Sequence, residues 1–278
     1  MAKGSAEEGR ANKALFKRHP SFVKMPKDHG FYTARLSIDG LWLISAYGGA
    51  AIVAPSDYFA ASTASAVQEE SAVTAAATEA APSAVEVVDH PRVAAPWPWQ
   101  EAKTARWMVK MLSWGVLSTV STRGQGTNVS DPFGNPYSFA DVDGVPYLYG
   151  SGLDASMIDL FSAGGTPRAS LALSEAALGG EKSLVWREKC QIGTLLGDPE
   201  NPPCARLVVS GVVSKVASGS SEEKTAMASL VKRHPSFAHY PSSHDFFVAK
   251  IAIDGLWLID IFGGAAIIKP ADYFSASS

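Results

Sequence analysis

Between residues 101 and 112 the apolar positions recur at helical spacing: in EAKTARWMVKML, Ala105, Met108, Met111 and Leu112 share one face. The period then changes. WGVLSTVST (114–122) is rich in β-branched residues and predicts a strand. GNPYSFADVDGVPYLYGSG (134–152) predicts two strands hinged at Asp143-Gly144, a dipeptide suited to a two-residue hairpin turn. ASMIDLFSAG (155–164) predicts a short helix, and PRASLALS (167–174) another strand. CARLVVSGVVSKV (204–216) predicts one more, with Gly211 as a bulge or bend. A second amphipathic helix follows. Ser220 and Glu223 have the spacing of a capping box, and Ala226, Met227, Leu230 and Val231 form its apolar stripe. His234-Pro235 ends it, because the residue before a proline is pushed out of α space. In FFVAKIAI, Phe247, Ala249, Ile251 and Ile253 fall on one strand face. Asp254-Gly255 predicts a tight turn, with LWLIDIF as the returning strand and Trp257 in the core. Gly263-Gly264 then bends the chain into AAIIKP, and PADYF ends it as a helical turn.

Part of this pattern is written twice. Residues 1–62 can be laid on 216–277 without a gap, and about 35 positions are identical. KRHPSF stands at 17–22 and 232–237, DGLWLI at 39–44 and 254–259, GGAAI at 48–52 and 263–267. Ser5 and Glu8 repeat the capping box, and Trp42 repeats Trp257 as an expected core residue. The unit is a helix plus a hairpin, with apolar faces on both and too few residues to cover them. A lone hairpin is marginal in water. The second copy has a mate in the strands of 114–216; the first has none. It begins at the position matching Val216, as though the front of an earlier domain were missing. A truncated tandem duplication, or a gene model lacking its 5′ end, would produce that.

Residues 63–90 hold many alanines and few large apolar groups, and PRVAAPWPWQ (91–100) is a proline-rich approach to an ordered region. The expected organisation is a partial repeat over 1–62, an alanine-rich linker over 63–95 and a complete domain over 96–278. Residues 1–62 are expected to be loosely attached, or paired with their own copy in another chain.

Charge and composition narrow the functions. A net charge of −3 and a pI near 6.1 offer no basic field to steer toward nucleic acid. No apolar run reaches the length of a bilayer span, and the first twenty residues lack the apolar centre of a signal peptide. Phosphate-binding, nucleophile-elbow and H-E-x-x-H motifs are absent. His234, His239 and His244 recur every five residues, which is not a same-face helical spacing, and Pro235 and Pro241 place them in a loop that suits packing better than metal binding. Cys190 and Cys204 are not in C-x-x-C spacing; they are either a disulfide closing the loop between them or two free thiols. Asn128-Val129-Ser130 is a glycosylation sequon, meaningful only in a secreted chain.

ARWMVKMLSWGVLSTVST, GNPYSFADV followed by GVPYLY, LALSEAALG, DPENPPCARLVVSG, KRHPSF and FGGAAIIKPADYF, in that order, resemble the CREG family. That group is named for cellular repressors of genes stimulated by an adenoviral early protein. It lies within the pyridoxamine-5′-phosphate-oxidase-like, FMN-binding split-barrel superfamily. The resemblance covers about 97–277 as a whole domain and 1–62 as the back third of another. It implies a mainly β fold, a six-stranded split barrel with flanking helices, that forms a homodimer. It also implies an extracellular or endolysosomal protein linked to growth control and differentiation, acting by binding a protein partner rather than by catalysis. The alternative is an FMN-dependent oxidoreductase.

An FMN site must neutralise a phosphate. Oxidase members of the superfamily carry an adjacent Arg-Lys pair for this; laid on this chain, the pair falls near Ala155-Ser156, beside Asp154. The cations are missing. Ser121, Arg123, Ser151 and Ser156 are the candidate substitute, against the alternative that these serines face solvent at strand ends.

Overall fold

The computed structural model describes residues 1–45, 49–61, 94–124, 126–178, 190, 198–261 and 263–276. Nearly all of the linker expected over 63–95 lies outside them. So does most of the loop between the two cysteines.

Six strands close into an antiparallel barrel: β3 (Trp114–Val120), β4 (Pro132–Val142), β5 (Val145–Ser151), β6 (Arg168–Ser174), β7 (Arg206–Lys215) and β8 (Phe246–Ile259). The ring runs β3, β4, β5, β8, β7, β6 and back to β3. Closure leaves fewer free strand edges. A short β9 (Ala266–Ile268) pairs with the far half of β8. Asp143 and Gly144 hold positive φ angles of 53° and 90°, the paired left-handed conformation that a tight hairpin turn needs.

Asp254-Gly255 is not a turn. β8 runs straight through it, because β7 pairs with β8 along its whole length, from Lys215 against Ala249 to Arg206 against Ile259. The ladder steps from Ser210–Gly255 to Gly211–Ile253 and leaves Asp254 as one extra residue. The expected bulge is therefore real, but its surplus residue is on β8. Gly211 lies opposite because a β-carbon there would strike the Ala252 carbonyl. Asp254 turns outward and meets Arg168 in a two-pronged pair at 2.7 and 2.9 Å. The chain reverses later, through Gly263 and Gly264. The step also sets side-chain direction. Leu256 and Leu258 are buried, and Trp257 points outward, 37% exposed, rather than into the core.

Helix α3 (Glu101–Met111) packs Trp107, Met108 and Val109 into the main core with Leu117, Phe139, Leu148 and Leu171. Helix α5 (Ser221–Arg233) lays Ala226 and Leu230 over Ala140, Tyr147 and Val248 in a second cluster. Its start is the expected capping box: the Glu223 amide donates to Ser220 Oγ at 3.1 Å, and the Gly219 amide donates to Glu223 at 2.6 Å. Helix α6 (Pro270–Ser275) buries Tyr273, whose hydroxyl donates to the Gly144 carbonyl at 2.7 Å.

The first copy holds helix α1 (Ala6–Arg18), a two-stranded ribbon of β1 (Leu41–Leu43) and β2 (Ala51–Val53), and α2 (Pro55–Ala60). None of the residues in its two helices is buried. It lies against the barrel through the ribbon and through His19, whose Nδ1 sits 2.5 Å from Asp198.

Candidate functional site

β4 and β5 lie side by side and open outward into a cleft of about 640 Å³. Asn135 to Ser138 form one wall and Tyr149 to Ser151 another; Leu153 and Asp154 make the floor. The far wall is the proline-broken segment after α5, carrying Phe237, Tyr240, His244 and Phe246. Tyr149 stacks on Phe246 at 5.0 Å between ring centres, and Tyr240 lies 4.9 Å from the same ring. Ile44 and Gly49 of the first copy close one side.

One short helix, α4 (Ala155–Phe161), and its cap carry two carboxyl groups whose acidities are shifted in opposite directions. Asp154 caps it, accepting from the Met157 amide at 3.1 Å. Burial raises the Asp154 carboxyl above its ordinary range, outweighing hydrogen bonds from Met157, Ser156 and Tyr137. Burial and the same acid push the Tyr137 hydroxyl well up. Asp159 also faces a burial penalty, but Arg123, Thr122 and Thr119 overcome it and hold the carboxyl below its usual value. Arg123 grips it with Nε at 3.1 Å and Nη2 at 3.0 Å, and Thr119, the Thr122 amide and the Thr122 hydroxyl supply further bonds. The Arg123 guanidinium also lies over the Phe133 ring at 4.3 Å.

The four flavin candidates divide between these places. Ser151 lines the cleft and its Oγ accepts from the Leu153 amide. Ser156 is buried in the first turn of α4, 3.3 Å from the Asn135 amide group. Ser121 lies by Arg123 and Thr127, in the loop behind a smaller pocket. All three serines are buried, which corrects the expectation that they face solvent at strand ends. Arg123 is engaged by Asp159.

Cys190 and Cys204 are joined, with Cα atoms 4.9 Å apart. Asn128 is exposed. His234 bonds the Phe139 carbonyl at 3.0 Å and stacks on Phe237, while His244 reaches the cleft. Among the described residues no group of His, Cys, Asp or Glu could hold a metal ion, and no helix is long and apolar enough to cross a membrane. Sequence reasoning named Asp154 but missed its capping role, and it missed Asp159 and the aromatic wall. Asp154 immediately before an apolar helix is an N-cap signal that could have found that role; three of the wall's aromatics, Phe237, Tyr240 and Phe246, lie on one short segment, and only Tyr149 joins them from a distant strand.

The family described as CREG, beta-barrel matches residues 2–60 and 96–275. This chain belongs to the CREG family. Protein CREG1 of Mus musculus is 33% identical over 180 residues, covering 63% of this chain and 74% of the mouse protein. Protein CREG1 of Gallus gallus is 33% identical over 187 residues, covering 65% of this chain and 88% of the chicken one. Among solved structures, a heme binding protein from Mycobacterium smegmatis matches with a TM-score of 0.49 and 19% identity, over 67% of this chain and 63% of its own. The Vibrio cholerae heme storage protein HutZ matches with a TM-score of 0.38 and 16% identity, over 54% of this chain and 88% of its own.

Proposed function

We propose that this CREG-family barrel is a non-catalytic binding module, and that its aromatic cleft receives an apolar group of a protein partner. A second barrel is the partner that the family resemblance implies. The observation that carries the reading is the Asp154 cap. A helix N-terminus beside two strand ends is where a phosphate would be held. Here Asp154 already places its own carboxylate there, Ala155 and Ser156 bring no cation, and the nearby Arg123 is spent on Asp159. These residues do not fit an FMN phosphate. The remaining cleft is walled by Tyr149, Phe237, Tyr240 and Phe246, which suits an apolar or aromatic group.

The visible absorption spectrum of the purified protein tests this. It should be colourless, and FMN added in excess should separate from it on gel filtration. A flavin band that stays with the protein in stoichiometric amount would favour the oxidoreductase reading instead.

A further inference from the structure

The contact between the first copy and the barrel is built on a close approach of two glycines. A β-carbon at Gly40 would lie 2.5 Å from the Gly126 carbonyl oxygen, and one at Gly126 would lie 2.9 Å from Trp42 Cβ and 3.1 Å from Ile52 Cδ1. Next to them Trp42 meets Phe133 edge-on, with ring centres 5.4 Å apart. Trp42 and Ile52 are direct cross-strand partners, so one face of the ribbon does the gripping.

The second copy carries the same face and leaves it exposed. Gly255, Trp257 and Ile267 repeat Gly40, Trp42 and Ile52, and Trp257 pairs with Ile267 in the same register. Trp257 is 37% exposed and Ile267 is 77% exposed, an apolar pair on the surface of the described residues. The barrel therefore owns both halves of one interface: a site at Gly126 and Phe133, and a ribbon face that matches the group already seated in it.

We infer that the ribbon of Leu41–Leu43 and Ala51–Val53 occupies, within one chain, the place that Leu256–Leu258 and Ala266–Ile268 of a second copy would take. Two barrels exchanging these ribbons would form a reciprocal, closed pair, since each gives and receives the same surfaces. Ile44 and Gly49, which close the cleft, would then be replaced by Ile259 and Gly264 of the second copy. The first copy blocks that exchange. Being on the same chain, it meets the site at an effective concentration of roughly millimolar, well above that of a micromolar protein. The full chain is thus a monomer carrying its own stand-in partner, and release of the stand-in makes a dimer.

The inference shares with the proposed function the premise that the barrel works by binding. Its test is a mass, which is independent of the flavin spectrum, so either can fail alone. Gly40→Val places a side chain against the Gly126 carbonyl and ejects the ribbon. Gly255→Val is tolerated by the barrel, where a β-carbon meets only Ser210 Cβ at an ordinary 3.7 Å, yet it puts the same obstacle on the exposed face. Light scattering on the full chain should give 29.3 kDa for the unchanged protein. Gly40→Val should double the mass, and Gly40→Val with Gly255→Val should return it to a single chain. Thermal melting of all three checks that the barrel remains folded. An unchanged protein already of double mass overturns the inference. So does a folded Gly40→Val chain that stays single, or a folded double variant that stays paired.

Discussion

Leu258 and Leu43 hold the same place in the same hexapeptide, yet Leu258 is 1% exposed and Leu43 is 50% exposed. Tyr273 and Tyr58 differ the same way, at 0% and 48%. The two copies nonetheless share nearly every local feature. Both helices run thirteen residues and begin with the same Ser–Glu capping box. Both end at a histidine before proline that bonds outside the copy: His234 to the Phe139 carbonyl, His19 to Asp198. An ion pair stands at matching positions in both, Glu222 with Lys250 and Glu7 with Arg35. Both ribbons pair in the same register. They part at one stretch. Residues 246–255 are a barrel strand, and the matching residues 31–40 hold no strand at all. A helix cap or a tight ribbon is satisfied by residues a few positions away. A long strand needs neighbours on both sides, and only the second copy has β5 and β7 to pair with.

The sharpest way to break this comparison is to truncate the matched tyrosines. Tyr273→Ala empties a fully buried site, removes the bond to the Gly144 carbonyl and strips the Arg106 guanidinium of its ring contact. It should cost about 3–5 kcal/mol in chemical denaturation. Tyr58→Ala should stay within about 0.5 kcal/mol. Similar losses would mean that both copies are equally structural.

The cysteines lie only in the part that holds the barrel. Reduction of Cys190–Cys204 should lower the barrel's stability by about 3 kcal/mol, from the freedom restored to the unfolded loop. A denaturation midpoint indifferent to reductant would argue against that link in solution.

His234 offers a comparison through pH. Burial depresses its imidazole, more than the Phe139 carbonyl bond raises it. A lowered histidine binds fewer protons folded than unfolded, so its contribution is complete above the ordinary histidine value of about 6.5. It is lost as pH falls toward the folded value. The melting temperature should therefore drop between pH 7 and 5, and His234→Gln should flatten that slope. A slope of the same size in the variant would assign the effect elsewhere.

The smallest difference concerns the matched ion pairs. Glu222→Gln and Glu7→Gln should each cost under about 1 kcal/mol, as exposed pairs do. Glu222 should cost the more, because it also accepts from the Tyr147 hydroxyl at 2.7 Å. Lys250 and then Tyr147 hold the Glu222 carboxyl below its usual value. Its contribution is thus present above the unfolded value of about 4.3 and lost as pH falls through the folded one. The Tyr147 hydroxyl, desolvated and bonded to this acid, is pushed up to about 12. A larger loss from Glu7→Gln would reverse the expected ranking of the two copies.

Periodicity and turn chemistry determined most of the barrel. The Asp143-Gly144 turn, the capping boxes and the helical ends are set by contacts within a few residues, so short stretches of sequence carry them, and the strands of 114–216 show in their β-branched and apolar patterning. The candidate site was legible in part. The missing cations at Ala155-Ser156 could be read directly, but not the partner of Arg123, because Asp159 lies 36 residues away and is brought near only when α4 folds back onto β3. Three decisions belonged to the tertiary structure alone. Asp254-Gly255 has the residues of a turn, yet ten ladder pairs with β7 outweigh that preference and leave a bulge. Trp257 has the composition of a core residue, yet the one-residue step at Asp254 turns it outward. The two copies share about 35 positions, yet only one is built into the ring. In each case local preference is worth about a kilocalorie, while pairing and burial along a closed sheet sum over many residues.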